Sequence, residues 1–119
     1  MTDPTYDREP KFGRLTHAQR ERLEMLAEEA AEVVQACTKI LRHGYSSYNP
    51  DVPNHASNGD DLERELLDLW CVAERMMDYG DIRRLNFFDS AKRWVKKLRY
   101  THHQPEFSHP TQEKQDDGS

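Results

Sequence analysis

An all-α fold is predicted for this 119-residue chain. Three observations carry it. Apolar residues recur at helical spacing in three stretches, and Gly and Pro fall outside their interiors. No run of residues alternates with the period of two expected for a strand, and there is no internal repeat. Length sets one domain with a small core. Hydrophobic residues are 35% of the chain and charged residues 33%, with a mean hydropathy of −1.04. So thin an apolar supply points to helices with wide polar faces, and to a core completed by oligomerisation.

Residues 1–15 hold Pro4, Pro10 and Gly13 without periodicity and read as an extended arm. Thr16 followed by Gln19 is a capping-box signature. It opens a helix over about 16–42 that meets no Gly or Pro before Gly44. At 1.5 Å per residue, roughly 25 residues span about 38 Å, a length typical of a bundle. Its expected stripe is Leu23, Leu26, Ala30, Val33, Cys37 and Ile40. Residues 45–59 are rich in Ser, Asn, Pro and Gly and form a long loop. Asp60 and Glu63 are expected to cap a second helix over about 60–79, with Gly80 as its stop. Its expected stripe is Leu62, Leu66, Leu69, Ala73, Met76 and Met77. Asn86 and Asp89 open a third helix over about 86–100, striped by Phe87, Phe88, Ala91, Trp94, Val95 and Leu98. Residues 104–119 are polar and expected to be disordered. The helical domain is therefore set at 16–103.

Two carboxylate pairs stand out. Glu29 with Glu32, and Glu65 with Asp68, are each three residues apart, one turn apart on the same helix face. On a wheel of ~100° per residue, both pairs lie ~80–140° to one side of their stripes, in the same sense. Antiparallel packing of the two helices then brings all four acids to one side of the seam. Together they would repel and raise their own pKa values unless a cation lay between them. Four oxygen ligands suit a hard cation, Mg²⁺ or alternatively Mn²⁺. The third helix is basic on its polar face, with Lys92, Arg93, Lys96, Lys97 and Arg99. A cation-binding cluster beside a cationic one suits a polyphosphate ligand. Taken alone, the same basic residues would serve the helix C-terminal dipole and solubility.

Glu28-Glu29-x-x-Glu32 followed by Glu65-x-x-Asp68, on successive amphipathic helices, resembles the MazG-like nucleoside triphosphate pyrophosphohydrolase superfamily. That group includes MazG enzymes, dimeric dUTPases, dCTP pyrophosphatases and phosphoribosyl-ATP pyrophosphohydrolases. The resemblance runs from about Thr16 to His103. It implies a MazG-like bundle assembled as a homodimer or homotetramer, holding Mg²⁺ on its carboxylates. The reaction it implies is hydrolysis of the α–β phosphoanhydride of an NTP or dNTP, giving the monophosphate and pyrophosphate. Glu29, Glu32, Glu65 and Asp68 would be the metal ligands. Glu28, ~40° beyond Glu32 on the wheel, would hold an outer water or act as general base. Lys39, Arg42, Lys92, Arg93, Lys96 and Lys97 are the candidates for the phosphate tail. The 45–59 loop is longer than in compact members of that group. With Tyr45, Tyr48, Asn49, His55 and Asn58 it is either a base-recognition lid or a surface insertion.

Several classes are disfavoured. A net charge of −5 argues against general nucleic-acid binding. No run approaches the 18 or more apolar residues of a membrane helix, and the N-terminus lacks the apolar core of a signal peptide. Two cysteines make no disulfide framework, so reduced thiols and a cytoplasmic protein are expected. Trp70, Trp94, Phe87 and Phe88 are assigned to core or subunit interface, and the histidines show no ligand spacing. No P-loop, G-x-S-x-G or Cys-x-x-Cys pattern is present. Two other readings remain beside the hydrolase. One is a non-hydrolytic nucleotide-binding protein on the same bundle; the other is a helical interaction or regulatory protein.

Overall fold

The computed structural model describes residues 14–105. The expected arm and tail therefore lie, but for residues 14–15 and 104–105, outside the described residues. The fold is all-α. The chain divides into two units, Met1–Arg83 and Arg84–Ser119. The first holds α1 (His17–His43) and α2 (Asn58–Asp78). The second holds α3 (Ser90–Lys97), extended by short 3₁₀ turns at Phe87–Asp89 and Leu98–Tyr100. None of the described helices is long and apolar enough to cross a membrane.

α1 starts where its capping box directs. The Thr16 hydroxyl accepts from the Gln19 amide, and the Gln19 side chain accepts from the Thr16 amide, both at 3.0 Å. It stops at Gly44, whose φ of +87° ends the helical path. The start of α2 differs from expectation. Ser57, not Asp60, is the N-cap; its hydroxyl accepts from the Asp60 amide, and the Asp60 carboxylate accepts from the Ser57 amide. Asp60 thus sits at the third helical position, where a carboxylate completes the box and meets the positive end of the dipole. Donation to the carboxylate by the Ser57 amide, and secondly by the Ser57 side chain, holds the Asp60 carboxyl below its ordinary pKa. α2 ends as a Schellman motif, with Gly80 (φ +81°) donating to Met77 and Asp81 donating to Met76.

The hairpin is antiparallel. Arg22, early in α1, makes a bidentate ion pair with Asp81, just past α2, at 2.6 and 2.9 Å. The Arg22 guanidinium also lies 4.5 Å from the centre of the Tyr79 ring. At the other end, the buried Asn58 side chain donates to the Gly44 carbonyl at 3.1 Å.

The seam between α1 and α2 matches the expected stripes only in part: Leu26, Val33 and Ile40 on α1 and Leu62, Leu69, Ala73, Met76 and Met77 on α2 are buried or half-buried as expected. On α1 the buried and half-buried residues are Ala18, Gln19, Arg22, Leu26, Glu29, Val33, Ala36 and Ile40; on α2 they include Asn58, Leu62, Glu65, Leu69, Val72, Met76 and, beside that line, Met77. From Arg22 on α1 and from Asn58 on α2, these lines step by four and three residues, the spacing of a heptad seam. Relative to the stripes read from sequence, both seams are turned by ~50°, at 100° per residue, toward the carboxylates. The reason is that each apolar face is broader than one neighbouring helix can cover. α2 takes the edge where Ala18 and Ala36 allow close approach and where Arg22 reaches Asp81. Leu23, Ala30 and Cys37, placed in the stripe by sequence, are left exposed, as is Leu66 on α2.

The third helix starts later than expected: Asn86 caps the 3₁₀ turn Phe87–Asp89, its side chain accepting from the Phe88 amide at 3.0 Å, and α3 itself begins at Ser90 without a side-chain cap bond from Asp89. Its apolar stripe does not form a core. Phe88 is 94% exposed, Phe87 and Val95 are also exposed, and Trp94 and Leu98 are half-buried.

Candidate functional site

The rotated seam decides where the acids lie. Glu29 and Glu65 are members of the two seam lines themselves, half-buried between helices, with the Glu65 side chain 16% exposed. Asp68, one turn beyond Glu65, is exposed at the edge of the seam. Glu29, Glu65 and Asp68 each offer one carboxylate oxygen, and these oxygens lie within 4.8 Å of one another. Glu32 is exposed on the next turn and is not part of that group. Glu28 is exposed beside it.

Electrostatics confirm a crowded site. The Glu29 carboxyl is pushed above its ordinary pKa by partial burial first, then by the charges of Asp68, Glu65, Glu32 and Glu28. All five acids therefore act on one point, although only three meet in space. Arg64 offers limited relief, 3.8 Å from Glu65 and shared with Asp61 at 3.1 Å. The donors are all oxygen, half-buried or exposed at the edge of the seam, and their mutual repulsion is what a divalent cation would offset. The set could hold Mg²⁺ or Mn²⁺. Acidic groups on exposed helices also occur without an ion, so the cluster alone does not identify one.

The loop between α1 and α2 is a built structure. Its ends are tied by the Asn58 amide donating to Ser47 and the Gly59 amide donating to Tyr45. Tyr48 and Ser57 form an isolated antiparallel bridge, and the Tyr48 and His55 rings stack with centres 5.1 Å apart. His55 holds a left-handed backbone at φ +51°. Between this loop and the end of α1 lies a cavity of about 410 Å³, lined by residues that include Lys39, Arg42, His43, Tyr48, Asn49 and Asp61. None of the ion pairs among the described residues engages Lys39 or Arg42. At 100° per residue, Glu28, Glu32 and Lys39 share one line of α1, and Asp61 and Asp68 share the matching line of α2. The carboxylates and the cavity therefore open on the same side of the hairpin, with Lys39 about 10 Å beyond Glu32 along the axis.

Lys92, Arg93, Lys96 and Lys97 are brought together on α3, where with Asp89 they line a cavity of about 330 Å³. They belong to the second unit. Sequence reasoning missed Arg22, Asp81 and Asp61. An arginine in a heptad line that is apolar but for Glu29 seven residues later is the signal that could have found the first. Both cysteines are free and exposed. No family model, curated protein or solved structure matches the chain.

Proposed function

We propose that the protein is a Mg²⁺-dependent nucleoside triphosphate pyrophosphohydrolase on a MazG-like bundle, cleaving the α–β bond of an NTP or dNTP. The observation that carries the reading is the convergence of Glu29, Glu65 and Asp68 from two helices. Its second support is the cavity on the same side of the hairpin, where Lys39 and Arg42 carry charge that no described ion pair uses.

Glu29, Glu65 and Asp68 would hold the cation, and Glu32 would join them by a change of rotamer from the next turn. Bound there, Mg²⁺ supplies Lewis-acid polarisation of a phosphoryl oxygen and screens phosphate charge. The chain's own residues do the rest. Glu28, exposed beside the cluster, would take a proton from the attacking water. Lys39 and Arg42 bind the terminal phosphates as point charge and fork, respectively. A triphosphate anchored at the carboxylates reaches toward Lys39, because a lysine side chain closes most of the ~10 Å between the two turns. Tyr48, Asn49 and His55 offer ring faces and hydrogen-bonding groups to a base.

The test is incubation with Mg²⁺ and a panel of NTPs and dNTPs, with products resolved by chromatography. Monophosphate plus pyrophosphate is expected, lost in Glu29→Gln and Glu65→Gln. Diphosphate plus orthophosphate would overturn the reaction assigned. Mg²⁺-dependent nucleotide binding without turnover would replace it with a non-hydrolytic nucleotide-binding protein.

A further inference from the structure

The line of α1 that carries Glu28, Glu32 and Lys39 begins earlier, at Glu21 and Met25, each one residue before a seam position. The matching line of α2 runs past Asp61 and Asp68 to Cys71 and Arg75. Equal offsets in the same sense on antiparallel helices keep all of these on one side of the hairpin. That side carries a second cavity, of about 250 Å³, at the end remote from the loop, with walls that include Met25, Cys71, Val72 and Tyr79. The carboxylates lie between the two cavities. Met25 stands four residues, about 6 Å, before Glu29 on α1, and Cys71 three residues, about 4.5 Å, after Asp68 on α2. Because the helices are antiparallel, both steps lead the same way. Lys39 lies in the other direction.

Charge separates the two cavities. At the loop end, none of the described ion pairs engages Lys39 or Arg42. At the other end the cations are already matched: Arg22 is held by Asp81 at 2.6 and 2.9 Å, and Arg75 by Asp78 at 3.2 Å and Glu74 at 3.6 Å. Glu21, which also lines this cavity, has no ion-pair partner among the described residues. The balance there is negative, so a phosphate is repelled and an uncharged group is not. The walls suit a flat ring. Val72 is buried, and Met25, 47% exposed, is a flexible thioether of the kind that packs against aromatic rings. Tyr79 is held by the Arg22 guanidinium, 4.5 Å from its ring centre. The volume is below the ~300–1,000 Å³ of pockets that take a whole ligand, and fits one part of a nucleotide.

We propose that this cavity is the base subsite: a nucleotide held at the carboxylates lays its base against Met25, Cys71, Val72 and Tyr79 and sends its terminal phosphate the other way, to Lys39 and Arg42. The inference rests on the nucleotide reading of the carboxylates and adds the direction in which the substrate lies. Hydrolysis at the α–β bond needs both of those phosphates beside the carboxylates. One sugar then separates the α-phosphate from the base, much as one helical turn separates Asp68 from Cys71. The γ-phosphate is left on the loop side. A base on the rings of Tyr48 and His55 would require the nucleotide to run in reverse, with its terminal phosphate against Glu21.

The two exposed, free cysteines report the direction. Cys71 lies in the cavity, whereas Cys37, one residue after the seam position Ala36, is on the other side of the hairpin. Alkylation of each thiol by iodoacetamide is followed by mass spectrometry in the full-length protein with Mg²⁺. The probes are the α,β-methylene analogues of the ribo- and deoxyribonucleoside triphosphates, whose carbon bridge resists cleavage, and inorganic tripolyphosphate, which has no base. Calorimetry measures the binding of each. At about ten times its Kd an analogue leaves roughly a tenth of the sites empty, so alkylation of Cys71 is expected to slow about tenfold while Cys37 keeps its rate. Tripolyphosphate is expected to bind and to protect neither thiol. Cys71→Trp fills the cavity from an exposed position, and is expected to weaken the analogue roughly tenfold while tripolyphosphate binds as before. A bound analogue that leaves Cys71 as reactive as before, equal protection of both thiols, protection of Cys71 by tripolyphosphate, or an unchanged affinity in Cys71→Trp would overturn this proposal and leave the assigned reaction standing. Failure of every probe to bind would overturn both.

Discussion

Replacing Asp81 by Ala removes the acid that receives both arms of Arg22. The two side chains are 8% and 11% exposed, and their hydrogen bonds measure 2.6 and 2.9 Å. Such a pair is far from a surface ion pair, worth about 0–1 kcal/mol. Breaking a buried pair from one side costs about 3–5 kcal/mol, because the remaining charge keeps its desolvation without its partner. Arg22 keeps its place over the Tyr79 ring, a contact that retains roughly 0.5–1 kcal/mol. The expected loss is therefore near the lower limit, about 3 kcal/mol. Urea unfolding followed by circular dichroism measures it, provided the slope is unchanged so that the midpoint reports stability. Arg22→Ala should cost somewhat more, since it also gives up the ring contact. The double variant should cost less than the sum of the two, because the single variants share one interaction. A loss below about 1 kcal/mol for Asp81→Ala would place the pair in the solvated class and refute the argument that it fixes the alignment of α1 on α2.

Other perturbations test the site and the loop. Glu29 has its folded pKa raised above the ordinary 4.5, so the folded state holds this proton more tightly than the unfolded chain. Its contribution is fully present below 4.5 and is lost as pH rises through the folded value. At pH 7, in the absence of divalent cations, Glu29→Gln should raise the melting temperature and flatten the pH profile just above the ordinary carboxyl range. Added Mg²⁺ should stabilise the native protein, as any ligand bound only by that state does, and Glu29→Gln should reduce the shift. An added Cβ at Gly44 meets nothing within 4 Å, so the cost of Gly44→Ala is purely conformational. With φ at +87° and ψ at 166° it should be about 1–3 kcal/mol. Gly80→Ala, in a Schellman turn, should cost about 1 kcal/mol, both read from urea midpoints.

The helices were legible because their ends are written in local chemistry. Thr16 with Gln19, Gly44 and Gly80 satisfy or release backbone groups within one turn, and such signals need no tertiary partner. The start of α2 was misplaced for a related reason. Asp60 is a good cap and a good third-position acid, and only the Ser57 hydroxyl three residues earlier separates the two roles. The loop was legible in position but not in order. Its order comes from Asn58, buried beneath it and bonded to Gly44 across the loop, and from the stack of Tyr48 on His55 within it, contacts that no local sequence signal announces.

The seam was harder to read, and the reason explains the site. A sequence stripe is centred on the apolar residues, so it points to the middle of a broad face. A single neighbouring helix covers only part of such a face. α2 takes the edge that carries Arg22, Glu29 and Ala36, and the remaining apolar line is left exposed. Glu29 and Glu65 are drawn into the seam by this division. Their spacing from Glu32 and Asp68 was visible at once, but their partial burial was not.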